Sequence, residues 1–385
     1  MNDIYHGRGN ESLYDEYIDF INYVFGFNGN NSDFKKLLPK LYNPEHSPVE
    51  NSYITVDNGK LVAAVGAFDN KLKVCNVELN CRGIGNVAVH PYHRSKGYMK
   101  ILMHMALEDM KRDGIDLSVL GGRRQRYNYF SYEKSGTVYS FSINNDNMRH
   151  SFGKDRSAYH TVGFKKLQAD DGYSKSIDVL TNEQKYCPVR NVSCLCDVLS
   201  SWGHNSYVVL KNGIFAGYII ADSKKIYEIV LKDESDFINT IISFYDYIGV
   251  ASLTVLLPEF CCEYISGLYK LCEGYDLSTS KSFSVLNYQK VVSAFAKLKS
   301  TYISIPDGQF SFLVHGVAGD EKLCLKARDG EITVDSCDGD VEFEADHIDA
   351  INMLFSPFCP GREKLSPWAR LLLPLPLWLY SADAV

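Results

Sequence analysis

The sequence predicts an α+β protein: two related units in tandem, followed by a smaller α/β unit. Three observations carry that expectation. Ser52–Gly59 (SYITVDNG) and Ser206–Gly213 (SYVVLKNG) share one pattern, and each leads into another apolar strand. The β-branched run Gly85–Val89 passes through a short basic loop with one glycine, Gly97, directly into a helix-forming stretch. After about residue 287 the texture changes to short alternating strands with Gly-containing turns, ending in an apolar tail.

At 385 residues the chain has length for two or three domains. Apolar residues at 45% and charged residues at 23% argue against a disordered or fibrous chain. A net charge of −7 makes it a poor binder of nucleic acid, which requires a basic face. The 11 cysteines are odd in number and lack CxxC spacing, so reduced thiols in a cytoplasmic protein are expected, with no metal. The opening MNDIYHGRGNESLYDEY is too polar and acidic for a secretory signal. Leu371–Tyr380 (LLLPLPLWLY) is about half the length that spans a bilayer and holds two prolines. It reads as a buried tail, and no membrane partner is expected.

Residues 11–45 read as helix, loop and helix, broken at Asn28–Ser32. Ser52–Val56 and Leu61–Phe68 flank Asp57-Asn58-Gly59, a hairpin signal. Lys71–Leu79 and Gly83–His90 continue as strands. Lys96–Asp113 is a helix with Ile101, Leu102, Met105, Ala106 and Met110 on one face, closed by Gly114. Leu117–Leu120 is a buried strand, Arg124–Tyr129 a helical turn and Thr137–Ile143 a last strand. The second unit repeats the order: a hairpin, a strand Ile226–Leu231, a helix Asp233–Ile248 and a strand Ala251–Leu257. Phe310–His315, Lys322–Arg328, Glu331–Asp335 and Val341–Ala345 are the strands of the third unit, and Asp346–Phe355 is its helix. The domains are placed at 1–147, 148–286 and 287–385.

The chemistry is concentrated at Gly85–Lys100. A helix N-terminus offers four unpaired N–H groups and the positive end of its dipole. A loop feeding into it wraps phosphate where glycine lets the backbone come close. Arg94, Lys96 and Lys100 add charge, so a pyrophosphate site is expected, of neither the GxxxxGK[ST] nor the GxGxxG kind. In the second unit Lys232-Asp233-Glu234-Ser235-Asp236 stands at this place, and its carboxylates would repel phosphate.

Val87-Ala88-Val89-His90-Pro91-Tyr92-His93-Arg94-Ser95-Lys96-Gly97-Tyr98 resembles the acetyl-coenzyme A loop of the GNAT acetyltransferases. Met99, two after the glycine, is where many members carry a small residue; the Eis-type (enhanced intracellular survival) branch carries bulky apolar residues there. Tyr127-Asn128-Tyr129-Phe130-Ser131-Tyr132 is similar to that branch's Tyr-x-x-Phe-Gly-Tyr signature, with Ser131 in place of Gly. The resemblance implies tandem GNAT domains, the second degenerate, followed by a sterol-carrier-protein-like domain. It implies acetyl-coenzyme A as co-substrate, held by the backbone of Val87, Ala88 and Val89, and by Ser95, Lys96, Gly97, Tyr98, Met99 and Lys100. Gly122 and Arg123 match a further coenzyme-contacting pair, although the family often has an acidic residue at Arg123. Arg123, Arg124 and Arg126 could bind the coenzyme's 3′-phosphate or face solvent.

The resemblance makes Tyr127 the general acid and the terminal carboxylate, at Val385, the general base. It implies an amine acceptor of cationic character (aminoglycoside, polyamine or lysine). Phe25 and Phe27 would line the substrate mouth, and Asp383 would give an acidic contact. It also implies a ring-like homo-oligomer, a hexamer. The alternative is a non-catalytic lipid or acyl-ligand carrier using the third domain. The acidic stretch Asp338–Asp349 is a solvated face or an attractor of a cationic substrate.

Overall fold

The structure is a computed structural model that describes residues 4–27, 29, 32–42 and 47–385. Most of the expected Asn28–Ser32 turn and the end of the 11–45 region therefore lie outside the described residues. The strands in chain order are β1 (Ile4–Arg8), β2 (Ser52–Asp57), β3 (Lys60–Val74), β4 (Val77–Val89), β5 (Leu117–Leu120), β6 (Glu133–Asn144), β7 (Gly163–Lys166), β8 (Tyr186–Val189) and β9 (Asn205–Lys211). They continue as β10 (Ile214–Ala221), β11 (Lys225–Leu231), β12 (Ser252–Pro258), β13 (Tyr275–Val285), β14 (Gly308–Gly316), β15 (Gly319–Arg328), β16 (Glu331–Ser336) and β17 (Phe343–Asp346).

The two Asn-Gly hairpins form as their chemistry requires. Asn58 and Gly59 have φ of +50° and +75°, and Asn212 and Gly213 have +53° and +78°. These are the left-handed conformations that a tight two-residue turn needs and that Asn and Gly adopt most readily. The strands expected at 61–68 and 71–79 fuse into the long hairpin β3–β4, paired from Val74↔Val77 to Ala63↔Val89 with a register shift between Ala64 and Gly66.

Thirteen strands make one sheet, ordered β1-β2-β3-β4-β5-β13-β6-β12-β11-β10-β9-β7, with β8 against β3. The two units exchange their last strands. β6 pairs with β12 (Ile143↔Leu253), and β13 enters between β5 (Ser282↔Leu120) and β6 (Lys281↔Ser135). The exchange joins the two expected sheets and places residues of the second unit beside the end of β5.

In the first unit the alternation of side chains along each strand sets two layers. Ile54, Leu61 and Ala88 pack with Ile18 and Ile21 of the helix Tyr14–Gly26. Tyr53, Val62 and Ile84 pack on the other face with Leu102, Ala106 and Met110 of the helix Tyr98–Arg112. The third unit is a four-stranded sheet, β16-β15-β14-β17, covered by the helix Tyr288–Ser300 and by the tail. No helix among the described residues is long and apolar enough to cross a membrane.

His347 joins the third unit to the first two. Its Nε2 lies 3.1 Å from the Ser131 carbonyl, which only accepts, so Nε2 carries the proton. Nδ1 then accepts from the Tyr288 hydroxyl at 3.1 Å. Burial lowers its pKa from 6.5 to about 4. A histidine kept neutral by folding is protonated first in the unfolded chain, so its contribution is lost as pH falls from about 6.5 to 4. At pH 5 this amounts to about 2 kcal/mol. Denaturant melts at pH 7.5 and 5 should show a smaller acid loss for His347→Gln than for wild type. An unchanged pH slope would exclude His347 as the responsible group.

Candidate active site

β4 and β5 run parallel and pair from Cys81↔Leu117 to Ile84↔Leu120. At the near end Asp116 clamps them: its carboxylate accepts from the Asn80 N–H at 2.8 Å and from Lys290 at 2.7 Å. At the far end β5 stops and Gly121-Gly122 turns the chain away, with Gly122 at φ +145°. β4 continues to Val89 and bulges at Asn86 (φ +52°), whose side-chain amide donates to the Tyr42 hydroxyl at 2.7 Å. The β5-facing edge of Gly85–Val89 is thus left without a partner strand among the described residues. A cavity of about 690 Å³ opens in that gap, with Val87, Gly122, Arg123 and Tyr127 in its wall. Ala88 faces the helix Tyr14–Gly26, and Val89 packs on the other core, so both offer only backbone to a ligand.

The loop after β4 starts the helix Tyr98–Arg112 with Gly97 at φ +82° and Ser95 at φ +65°. A Cβ on Gly97 would meet no atom, so the space over the helix N-terminus is open. The first N–H groups of the helix point into it. The side chains play a smaller part than the sequence suggests. The Tyr98 ring is buried and its hydroxyl donates to Asp57 at 3.1 Å. Met99 packs against the core. Lys96 lies 3.4 Å from Asp57, and Lys100 sits over the Tyr129 ring at 5.0 Å. This is a backbone cradle suited to an anion such as the pyrophosphate of a coenzyme, with Lys96 and Lys100 near by.

Tyr127 ends the short helix Arg124–Tyr127. Its ring lies on Gly122, where any Cβ would come within 2.5 Å of Cε2. Burial raises the pKa of the phenol, and Arg126 beside it works against that rise. Arg124 holds the segment down through Glu133, at 2.5 and 2.6 Å. The three arginines therefore divide: Arg124 is an anchor, while Arg123 and Arg126 line the cavity.

The tail is buried as expected. Leu375, Leu377, Trp378, Leu379 and Tyr380 belong to the third unit's core. The Leu375 N–H donates to the Leu354 carbonyl at 2.7 Å, and the Tyr186 hydroxyl donates to the Trp378 carbonyl at 2.7 Å. Lys40 then donates to the carbonyls of Ala382 and Ala384, both at 2.6 Å, and the Trp202 indole to that of Ala384 at 3.0 Å. The chain ends against β4. A Cβ on Gly83 would meet Val385 Cγ2 at 2.4 Å, and one on Gly85 would meet the Val385 carboxyl carbon at 2.9 Å. Val385 and Tyr127 line the same cavity.

Residues 8–136 match the family described as Acetyltransferase (GNAT) domain. This chain carries a GNAT acetyltransferase domain. It is an N-acetyltransferase that depends on acetyl-coenzyme A, and its acceptor is an amine. No curated protein is detectably similar in sequence. Among solved structures, Eis1 from Mycobacterium abscessus is 11% identical with a TM-score of 0.65, covering 100% of both chains. A probable N-acyltransferase of unknown function from Enterococcus faecalis is 17% identical with a TM-score of 0.67, covering 98% of both. A GCN5-related N-acetyltransferase from Kribbella flavida is 15% identical with a TM-score of 0.64, covering 91% of this chain and 88% of that one. At these identities the shared property is the fold, and it runs along the whole chain.

Two expected substrate contacts do not reach this cavity. Asp383 does not face it: the carboxylate is buried and held by Arg190 at 2.7 and 2.9 Å. Phe25 lines the cavity, but Phe27 lies outside it, edge-on to Tyr23 and 6.0 Å from Arg94. The sequence did not single out Trp202, His204, Tyr227 and Lys281, all of which line the cavity from the second unit. The His204 ring lies tilted against Tyr227 at 4.3 Å, its Nδ1 has no hydrogen-bond partner among the described residues, and burial lowers its pKa to about 4. No Asp or Glu side chain lines the cavity among the described residues, so the acidic pocket expected for a cationic acceptor is absent there.

Two glycine substitutions test whether the helix N-terminus and the chain's end serve one site. Gly97→Asp puts a carboxylate over the helix N-terminus in a left-handed conformation, and coenzyme A binding by calorimetry should be lost. Gly83→Ala displaces Val385 while leaving the anion cradle intact. It should retain coenzyme affinity and lose at least about ten-fold in kcat, because small misplacements of a reacting group are costly. Unchanged kcat in Gly83→Ala would detach the terminus from the chemistry.

Proposed function

We propose that the enzyme moves acetyl directly from acetyl-coenzyme A to a primary amine in a ternary complex, with Tyr127 as general acid and the Val385 carboxylate as general base. The observation that carries this reading is the packing of the chain's own terminus on Gly83 and Gly85, in the cavity that Tyr127 lines. The backbone of Val87, Ala88 and Val89 holds the pantetheine arm as an added strand. Ser95, Lys96, Gly97, Tyr98, Met99 and Lys100 hold the pyrophosphate, and Gly122 and Arg123 flank the coenzyme where β5 ends. The bound coenzyme supplies the activated acetyl group and a thiol leaving group.

The Val385 carboxylate takes the proton that the amine must lose. An α-carboxylate is intrinsically a weak base, with a pKa of about 3.5. Among the described residues no cation forms an ion pair with it. Tyr127 is protonated at neutral pH, as any phenol with a pKa of about 10 is; burial raises that value further, and Arg126 beside it favours the phenolate left after it protonates the sulfur. A covalent acetyl-cysteine route finds no support: among the described residues no cysteine lines the cavity, and burial pushes the Cys75 and Cys81 thiols up, away from the reactive thiolate. Of the expected acceptors, a lysine-like single amine suits the lining better than an aminoglycoside or polyamine. The homo-hexamer implied by the resemblance remains part of the proposal, and sedimentation analysis decides it.

Tyr127→Phe removes one proton donor and keeps the ring. Its kcat for coenzyme A release should fall about 10²- to 10⁴-fold. Retention of half the wild-type rate would remove Tyr127 from the role. Amidation of Val385, or a short Gly-Ser extension that moves the carboxylate by about 3.3 Å per residue, should abolish most transfer while coenzyme binding persists. Native turnover in the extended protein would send the search for the base elsewhere.

A further inference from the structure

We infer that the acceptor is an amine bearing its own anionic group, a carboxylate or phosphate, and that Lys281 is the residue that selects it. The inference rests on the acetyl-transfer reading and specifies its substrate class.

Lys281 owes its place to the strand exchange. It lies on β13 opposite Ser135, and the next residue, Ser282, pairs with Leu120, the last residue of β5. This puts Lys281 in the cavity wall where β4 and β5 have parted. Its ammonium has no acidic partner among the described residues, and the charged neighbour that acts on it is Lys134. Lys40 and His204 also feel its charge. A partly buried ammonium among cationic groups is costly unless something pairs with it.

The nearby carboxylates cannot do so. Asp383 and Glu228 are both held by Arg190, with Glu228 at 2.8 and 2.9 Å. Asp222 accepts from the Tyr227 hydroxyl at 2.9 Å and from the N–H groups of Lys224 and Lys225 at 2.6 and 2.7 Å. The remaining anion in the lining is the Val385 carboxylate, which the reaction uses as base. A polycation would therefore bring several charges toward Lys281 and Arg126 against a single carboxylate. An amine with an attached carboxylate or phosphate reverses this balance: its ammonium faces Val385 and its anion faces Lys281. Phe25, Trp202 and Tyr227 bound the same space and suit an apolar or aromatic body between the two charges.

Matched amines that differ by one carboxylate test the proposal. Coenzyme A release is measured with phenylalanine against phenethylamine and with lysine against cadaverine, with spermidine as the polycation. O-phosphoethanolamine against ethanolamine asks the same of a phosphate. In the wild type the anionic member of at least one pair should have the higher kcat/KM by about ten-fold or more, expressed mainly in KM. Lys281→Met should erase that preference, Lys281→Arg should keep most of it, and Lys281→Glu should shift preference toward spermidine. Comparing the ratio between wild type and variant cancels the different basicities of the amines. No preference in any wild-type pair, or a preference that survives in Lys281→Met, overturns the inference. A Lys281→Met defect confined to the KM for acetyl-coenzyme A also overturns it, by assigning Lys281 to the coenzyme. If no amine of either kind accelerates coenzyme A release, the acetyl-transfer reading itself fails. That result is distinct from transfer without charge preference.

Discussion

The acetyl-transfer reading makes the chain terminus a reagent, which requires it to be held as firmly as a side chain, and here that depends on burying the tail. Leu375, Leu377, Trp378, Leu379 and Tyr380 lie in the core shared by the third unit and the central sheet. Each large apolar side chain contributes about 1.5–3 kcal/mol on burial, against about 1–2 kcal/mol per residue to order the backbone. The margin is small for any one residue and adequate for the five together. From there the path is set by hydrogen bonds from all parts of the chain: Lys299 to Pro374, Tyr186 to Trp378, Lys40 to Ala382 and Ala384, and Trp202 to Ala384. The glycines of β4 complete it, because any Cβ at residue 83 or 85 would occupy the place of Val385.

The same requirement explains the buried charges. Arg190 lies between Glu228 and Asp383, with all three side chains largely removed from water. Such a cluster adds little to stability over an apolar packing of equal volume, but removing one partner leaves a buried charge uncompensated. Its value is positional. A bidentate guanidinium fixes Asp383 in direction as well as distance, two residues before the carboxylate proposed as base. Lys40, whose pKa burial lowers to about 8 against the pull of Asp383, ties down the carbonyls on either side. Because these acids are consumed in holding the tail, the cavity keeps a cationic lining.

Local features of the fold were legible, and non-local ones were not. Asn58-Gly59 and Asn212-Gly213 announce their turns because the residues themselves favour left-handed backbone. The β4–helix junction is legible because Gly97 must adopt a positive φ where the backbone has to be bare. Tyr127 and the apolar tail could likewise be picked out, the first by motif and the second by hydropathy. Lys281, Trp202, His204 and Tyr227 could not, because they reach the first unit only through the second unit's packing and the β6–β13 exchange. No sequence period encodes that exchange. Asp383 misled for a related reason: whether a carboxylate is free or paired depends on Arg190, 193 residues away.

The second unit repeats the parting of two parallel strands without the open helix N-terminus. Its β11 and β12 also run parallel and part after Ile226↔Val255, as β4 and β5 part after Ile84↔Leu120. The helix that follows begins differently. Asp233 accepts from the Ser235 N–H at 3.0 Å, and Asp236 holds Lys211 at 2.7 Å. Carboxylates occupy the place where the first unit leaves an open helix N-terminus, and they would repel phosphate. The gap between the parted strands is lined instead by Tyr186, Tyr218, Tyr264 and Tyr380. Tyr380 belongs to the tail, and Tyr186 hydrogen-bonds it two residues earlier. The parting of two parallel strands that opens a cavity beside Tyr127 in one half therefore receives, in the other, the segment that leads to Val385. On the acetyl-transfer reading, one half uses its splayed strands to hold the coenzyme and the other uses them to position the base. That reading gives a unit without an anion cradle a part in completing the site.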